Sequence, residues 1–123
     1  IDMIFFYGAT NKATLAAPND GSFDAGSGQI PDGVDGWSHR NATTFKTTSL
    51  SDLSSITNST AITSAYTNGT DFSPNSRANN LSQGQVIAFQ TEGHKMGLAY
   101  ISQISGTDTN GNGTMTINVV VQK

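Results

Sequence analysis

Three stretches in the last third of the chain alternate apolar and polar residues with a period of two. They run from Gln85 to Thr91, Met96 to Ile104 and Thr114 to Gln122. That period sends successive side chains to opposite faces of a strand. In the last stretch Met115, Ile117, Val119 and Val121 fall on one side, and Thr114, Thr116, Asn118 and Gln122 on the other. Glu92-Gly93-His94 is a tight turn between the first two stretches, and Gly106 to Gly113 a longer one between the second pair. The pattern predicts an antiparallel three-stranded meander. Val86, Phe89, Leu98, Ile101, Ile117 and Val119 are expected to share one core.

The opening segment, Ile1 to Tyr7, is apolar on both alternating faces apart from Asp2. It reads as a strand covered on both sides, in a central position. Thr14 to Ala17 is a short strand before the turn Pro18-Asn19-Asp20-Gly21, and Ala42 to Thr48 an edge or half-exposed strand. From Gly21 to Gly36 glycines and aspartates without periodicity predict a long surface loop. The middle of the chain changes period. Ser51-Asp52 ahead of Leu53 and Ile56 predicts a short capped helix. Asn58 or Ser59 caps a second, with Ala61, Ile62, Ala65 and Tyr66 spaced three to four apart and Gly69 past its end. Asp71 to Asn80 is a polar connection. The expected fold is α+β, mainly β: an antiparallel sheet or partly closed barrel with two short inserted helices and a C-terminal three-stranded meander. It occupies residues 1–123 as a single domain.

Composition narrows the function classes. Only 12% of residues are charged, the net charge is −3 and there are six Lys and Arg. A nucleic-acid backbone requires clustered basic residues, and Lys12, Arg40, Lys46, Arg77, Lys95 and Lys123 are scattered, so no nucleic-acid partner is expected. There is no cysteine, which excludes disulfides, thiolate catalysis and Cys-ligated zinc. No apolar run approaches the roughly 20 residues of a transmembrane helix. Five Asn-x-Ser/Thr sequons, at Asn41, Asn58, Asn68, Asn80 and Asn112, match what a chain rich in these residues generates by chance.

Two runs carry a resemblance. Phe5 to Asp20 (FFYGATNKATLAAPND) and Ser76 to Thr91 (SRANNLSQGQVIAFQT) resemble a family of secreted and surface-lipoprotein β-rich domains of Bacteroidota. Gly97-Leu98, the Ile101 to Ile104 segment and Gly113 to Val119 extend the similarity along the chain. The turn Glu92 to Met96 departs from it, since a small residue and an aromatic are the family's pattern there. The resemblance implies an extracellular or cell-surface location, with a lipid anchor on a segment upstream of Ile1. It supplies no catalytic residues.

Nor do motifs supply catalysis. The chain lacks a Gly-x-Ser-x-Gly elbow, a His-Glu-x-x-His pair and a phosphate loop. Asp32 and Asp35 in the 21–40 loop are a candidate acid pair for a small hydrolase, a third-ranked alternative. Asp108, Asn110 and Asn112 imitate the first half of a calcium loop, but Val119 stands where the closing carboxylate belongs. They remain weak calcium candidates, and no cofactor is expected. Trp37, the sole tryptophan, follows the Gly-rich loop and precedes His39 and Arg40. An aromatic face beside polar groups suits sugar stacking, so Trp37, His39 and Arg40 form the expected ligand-binding surface. The leading reading is a non-catalytic module that binds a glycan or a surface protein, or serves the envelope structurally. The second is a filament or oligomer subunit that pairs its terminal strands, Ile1 to Tyr7 or Thr114 to Val121, with other copies.

Overall fold

The computed structural model describes residues 1–21, 34, 36–106 and 113–123. Two antiparallel sheets pack face to face. The smaller has the order β1 (Ile4–Gly8), β2 (Lys12–Ala16) and β5 (Arg77–Ala78). The larger has the order β4 (Thr70–Asp71), β3 (Thr44–Thr47), β6 (Val86–Gln90), β7 (Met96–Gly106) and β8 (Gly113–Val121). The sheets do not close into a barrel. The meander β6-β7-β8 is present, with Phe89 opposite Gly97 and Ile101 opposite Ile117.

Between the sheets lies the main core. Ala13 and Leu15 enter it from β2, Phe45 from β3, Ile87 and Phe89 from β6, and Ala99 and Ile101 from β7. The opposite face of the large sheet carries a second cluster. There Val86, Ala88 and Leu98 pack under Ile62 of the helix α1 (Ser59–Asn68). The six residues expected to form one core are therefore divided. Phe89 and Ile101 are buried between the sheets with Ile117 packed beside them, whereas Val86 and Leu98 lie beneath the helix. Val119 is 46% exposed. A strand covered on both faces contributes to two cores, and alternation alone does not say whether its second face is covered.

The opening strand is covered in the same way. Phe5 and Tyr7 pack against the main core, while Phe6 joins Ala16 and Val34 in a third cluster on the outer face of the small sheet. Both faces are thus covered, and among the described strands β1 stands at the end of the small sheet, beside β2. Conversely, β3 is flanked by β6 and the two-residue β4, and Phe45 is fully buried.

One helix forms where two are predicted. Asn58 caps α1, its side chain accepting from the Ala61 N–H at 2.9 Å, and Gly69 ends it. At 51–56 the Asp52 carboxylate instead accepts from the Ser54 N–H at 2.9 Å and the Ser54 hydroxyl at 2.6 Å. These bonds, the hydroxyl's first, hold the Asp52 carboxyl below the usual aspartate range. A side chain bonded to the backbone two residues on competes with helix formation. The segment closes as one turn, with the Ile56 N–H on the Leu53 carbonyl.

The connection from 71 to 80 is more than a polar link, because it carries the chain from β4 in one sheet to β5 in the other. At its end the Arg77 guanidinium donates to Asp20 Oδ1 at 3.2 Å, and the Ser76 hydroxyl donates to Oδ2. The Asp20 side chain is 3% exposed. This buried acid fixes the chain just past β2 to the start of β5.

Candidate functional site at the β6–β7 turn

The β3–β6 register determines which side chains meet at one end of the large sheet. Thr44 is opposite Gln90, and continuing two residues outward brings Ala42 to Glu92. The Ala42 N–H donates to Glu92 Oε2 at 2.8 Å. Glu92 Oε1 pairs with His39 Nε2 at 2.7 Å. The amide bond, then the histidine, hold the Glu92 carboxyl below the usual glutamate range. Glu92 thereby ties the 37–42 segment to the β6–β7 turn.

The turn itself is narrow. The Thr91 N–H donates to the Lys95 carbonyl, and the His94 N–H to the Thr91 carbonyl, both at 2.9 Å. His94 adopts a left-handed φ of 65°. Histidine is among the non-glycine residues enriched in that conformation. A shallow groove of about 290 Å³ runs beside the turn, lined by Ala42, Thr44, Gln90, Thr91, Glu92 and His94. Glu92 belongs both to the groove and to the His39 pair.

Trp37 stands at the head of this segment, its N–H on the Val34 carbonyl at 3.0 Å. It is 37% exposed, so it is not a core plug. His39 is exposed and Arg40 half-buried. Of the three predicted binding residues, the structure links His39 to the turn through Glu92 and leaves the Trp37 ring at the surface. Glu92 was missed as a site residue. The resemblance marks it only as a departure, and its partner becomes apparent once β3 and β6 are known to be neighbours.

The calcium candidates Asp108, Asn110 and Asn112 and the acid pair Asp32 and Asp35 lie outside the described residues. Among the described residues no cluster of three or more His, Asp or Glu is placed to hold a metal, and no helix is long and apolar enough to cross a membrane. A second hollow, of about 300 Å³, separates α1 from the 48–56 segment. Its walls include Ser55, Ala61, Ser64 and Ala65, with no ionisable group among them. Comparison with family models, curated proteins and solved structures found no match.

Proposed function

We propose that the domain is a non-catalytic binding module of the cell surface or secreted space, and that its ligand docks on the Trp37–His39–Glu92 surface. The observation that carries the reading is the exposed Trp37 ring two residues from an imidazole–carboxylate pair anchored to the rigid hairpin end. A partly exposed indole with fixed hydrogen-bonding groups nearby matches the needs of a sugar ring, which offers an apolar face and a rim of hydroxyls. Catalysis by the pair is disfavoured by its setting. The His39 and Glu92 side chains are 67% and 43% exposed, and water screens an ion pair so placed. General acid–base chemistry commonly relies on burial to tune such groups. The cell-surface assignment rests on the family resemblance of the Phe5–Asp20 and Ser76–Thr91 runs.

Titration of tryptophan fluorescence against a panel of glycans tests the module directly, because Trp37 is the only reporter in the chain. A saturable change is expected with at least one glycan, abolished by Trp37→Ala and weakened by Glu92→Gln. The melting temperature of Trp37→Ala should stay close to that of the parent. A parent that binds nothing in the panel, together with a Trp37→Ala loss of the ~3–5 kcal/mol typical of a buried aromatic, would refute the surface.

A further inference from the structure

Among the described residues the outer edge of β8 has no strand partner, and its geometry identifies one. The Gln122 N–H donates to the Met96 carbonyl at 3.0 Å. In an antiparallel ladder this orientation alternates residue by residue. The backbone groups of Val120 and Asn118 therefore turn toward β7, and those of Val121, Val119 and Ile117 point away from the sheet. Those outward residues have their side chains on the face of Ala99 and Ile101, their register partners being Gly97, Ala99 and Ile101. Ile117 reaches the main core, but Val119 and Val121 lie beyond its cover at 46% and 53% exposed. Natural edge strands are commonly guarded by a lysine, a proline, a bulge or a covering loop. From Gly113 to Gln122 β8 has neither charge nor proline, and the one register shift in the β7–β8 pair falls on β7, between Ile101 and Gln103.

We propose that β8 pairs antiparallel with β8 of a second copy, with the two-fold axis at Asn118. In this register Ile117 faces Val119 of the second copy, and Met115 faces Val121, so each exposed valine meets an apolar neighbour from the other chain. On the helix side Thr116 faces Val120 of the second copy. It enters a groove of about 410 Å³ whose apolar wall is Ile56, Ile62, Val120 and Val121 and whose polar wall includes Asn58 and Lys123. Asn118 meets its own copy, and an amide offers both the donor and the acceptor that such a meeting requires. Charge favours this occupant: Met115 to Val121 carry no charge, so no like charges oppose each other along the paired residues of the two copies. Shifting the axis to Val119 would set Met115 against Lys123, which the Asn118 axis avoids. A two-fold contact of this kind closes on itself and gives a dimer, not a fibre.

The proposal is independent of the Trp37 surface, and the lack of native cysteine makes its register directly testable. Sedimentation should show a concentration-dependent dimer of the parent chain. Under mild oxidation Asn118→Cys should cross-link through the axis. Thr116→Cys should not, because its two copies are offset by four positions and exceed the ~7 Å limit for bridged Cα atoms. Val119→Lys places a charge at an already exposed position. It should raise the dissociation constant at least tenfold and leave the melting temperature unchanged when both proteins are measured dilute enough to be monomeric. A parent that stays monomeric to millimolar concentration overturns the proposal. So does Thr116→Cys cross-linking as fast as Asn118→Cys, or a dissociation constant unchanged by Val119→Lys. Protection of β8 amides only on adding an unrelated extended peptide would assign the edge to a foreign strand and equally overturn self-pairing.

Discussion

Replacing Gly97 with alanine should destabilise the protein, although the same change is often favourable elsewhere. Gly97 lies in β7, opposite Phe89 on one side and Val121 on the other. A Cβ added there would press on Phe89 Cζ, 2.8 Å from Phe89 Cε2 and 2.7 Å from Val121 Cγ1. Carbon atoms settle at about 3.5–4.0 Å, so the ring would have to retreat by roughly 1 Å. Val121 is exposed and can rotate away. Phe89 is 2% exposed and belongs to the core between the sheets, so it cannot move without displacing its neighbours. Overpacking of this kind costs about 1–3 kcal/mol. Without the clash, restricting the unfolded chain would instead stabilise by about 0.4–1 kcal/mol. The sign alone therefore discriminates. Urea denaturation at unchanged m-value gives the difference from the midpoints. In a Phe89→Leu background, where the ring is gone, the penalty of Gly97→Ala should shrink by at least about 1 kcal/mol, a coupling expected of residues in contact. Stabilisation by Gly97→Ala, or an equal penalty in both backgrounds, would refute the packing argument.

Three further outcomes follow from the contacts described. Asp20→Ala removes the acid that joins Ser76 and Arg77 and leaves a guanidinium partly buried without its partner. A loss of about 3 kcal/mol in chemical denaturation is expected, and a change below 0.5 kcal/mol would refute the buried linkage. Asn58→Ala deletes the α1 cap and should cost about 1 kcal/mol, with the loss of amide protection confined to the first turn of the helix. Because the fold depresses the Glu92 pKa, the stabilisation from its ionised form is complete above the ordinary glutamate range and disappears as pH falls through the lower folded value. Carboxyl titration by NMR should place the Glu92 midpoint below that of a free glutamate. The stability gap between the parent and Glu92→Gln should be present near neutrality and vanish in acid; a gap independent of pH would refute the link.

The alternating residues of β6, β7 and β8 revealed those strands and their order, because the meander is local and each turn is short. Period-two patterns describe the faces of a strand and carry no information about its edges. Ile1 to Tyr7 thus reads correctly as covered on both faces, while its place beside β2 among the described strands is set by pairing that the period does not show. Phe45 is predicted on a half-exposed strand because two flanking threonines conceal a position that is buried among residues remote in sequence. Strands of two residues, such as β4 and β5, are too short to show a period at all. The first predicted helix fails for a local reason, since Asp52 bonds to Ser54 and not to a helical backbone. At the candidate site Trp37 and His39 are legible from composition, while Glu92 depends on the non-local pairing of β3 with β6.

The link between β4 and β5 bears on how the chain acquires its structure during synthesis. The hairpin β1–β2 precedes the other described strands in chain order, and its inner face packs against Phe45, Ile87 and Ile101, which follow it. Its free side is filled by Ala78 and Arg77. Loop closure must precede the gain from such distant contacts, which makes their formation slow. A nascent chain ending before β5 exposes Phe5, Tyr7 and Leu15 together, and so presents a sticky hairpin to any holding chaperone. Release from such a complex should coincide with the emergence of the meander, giving the domain one late, concerted folding event.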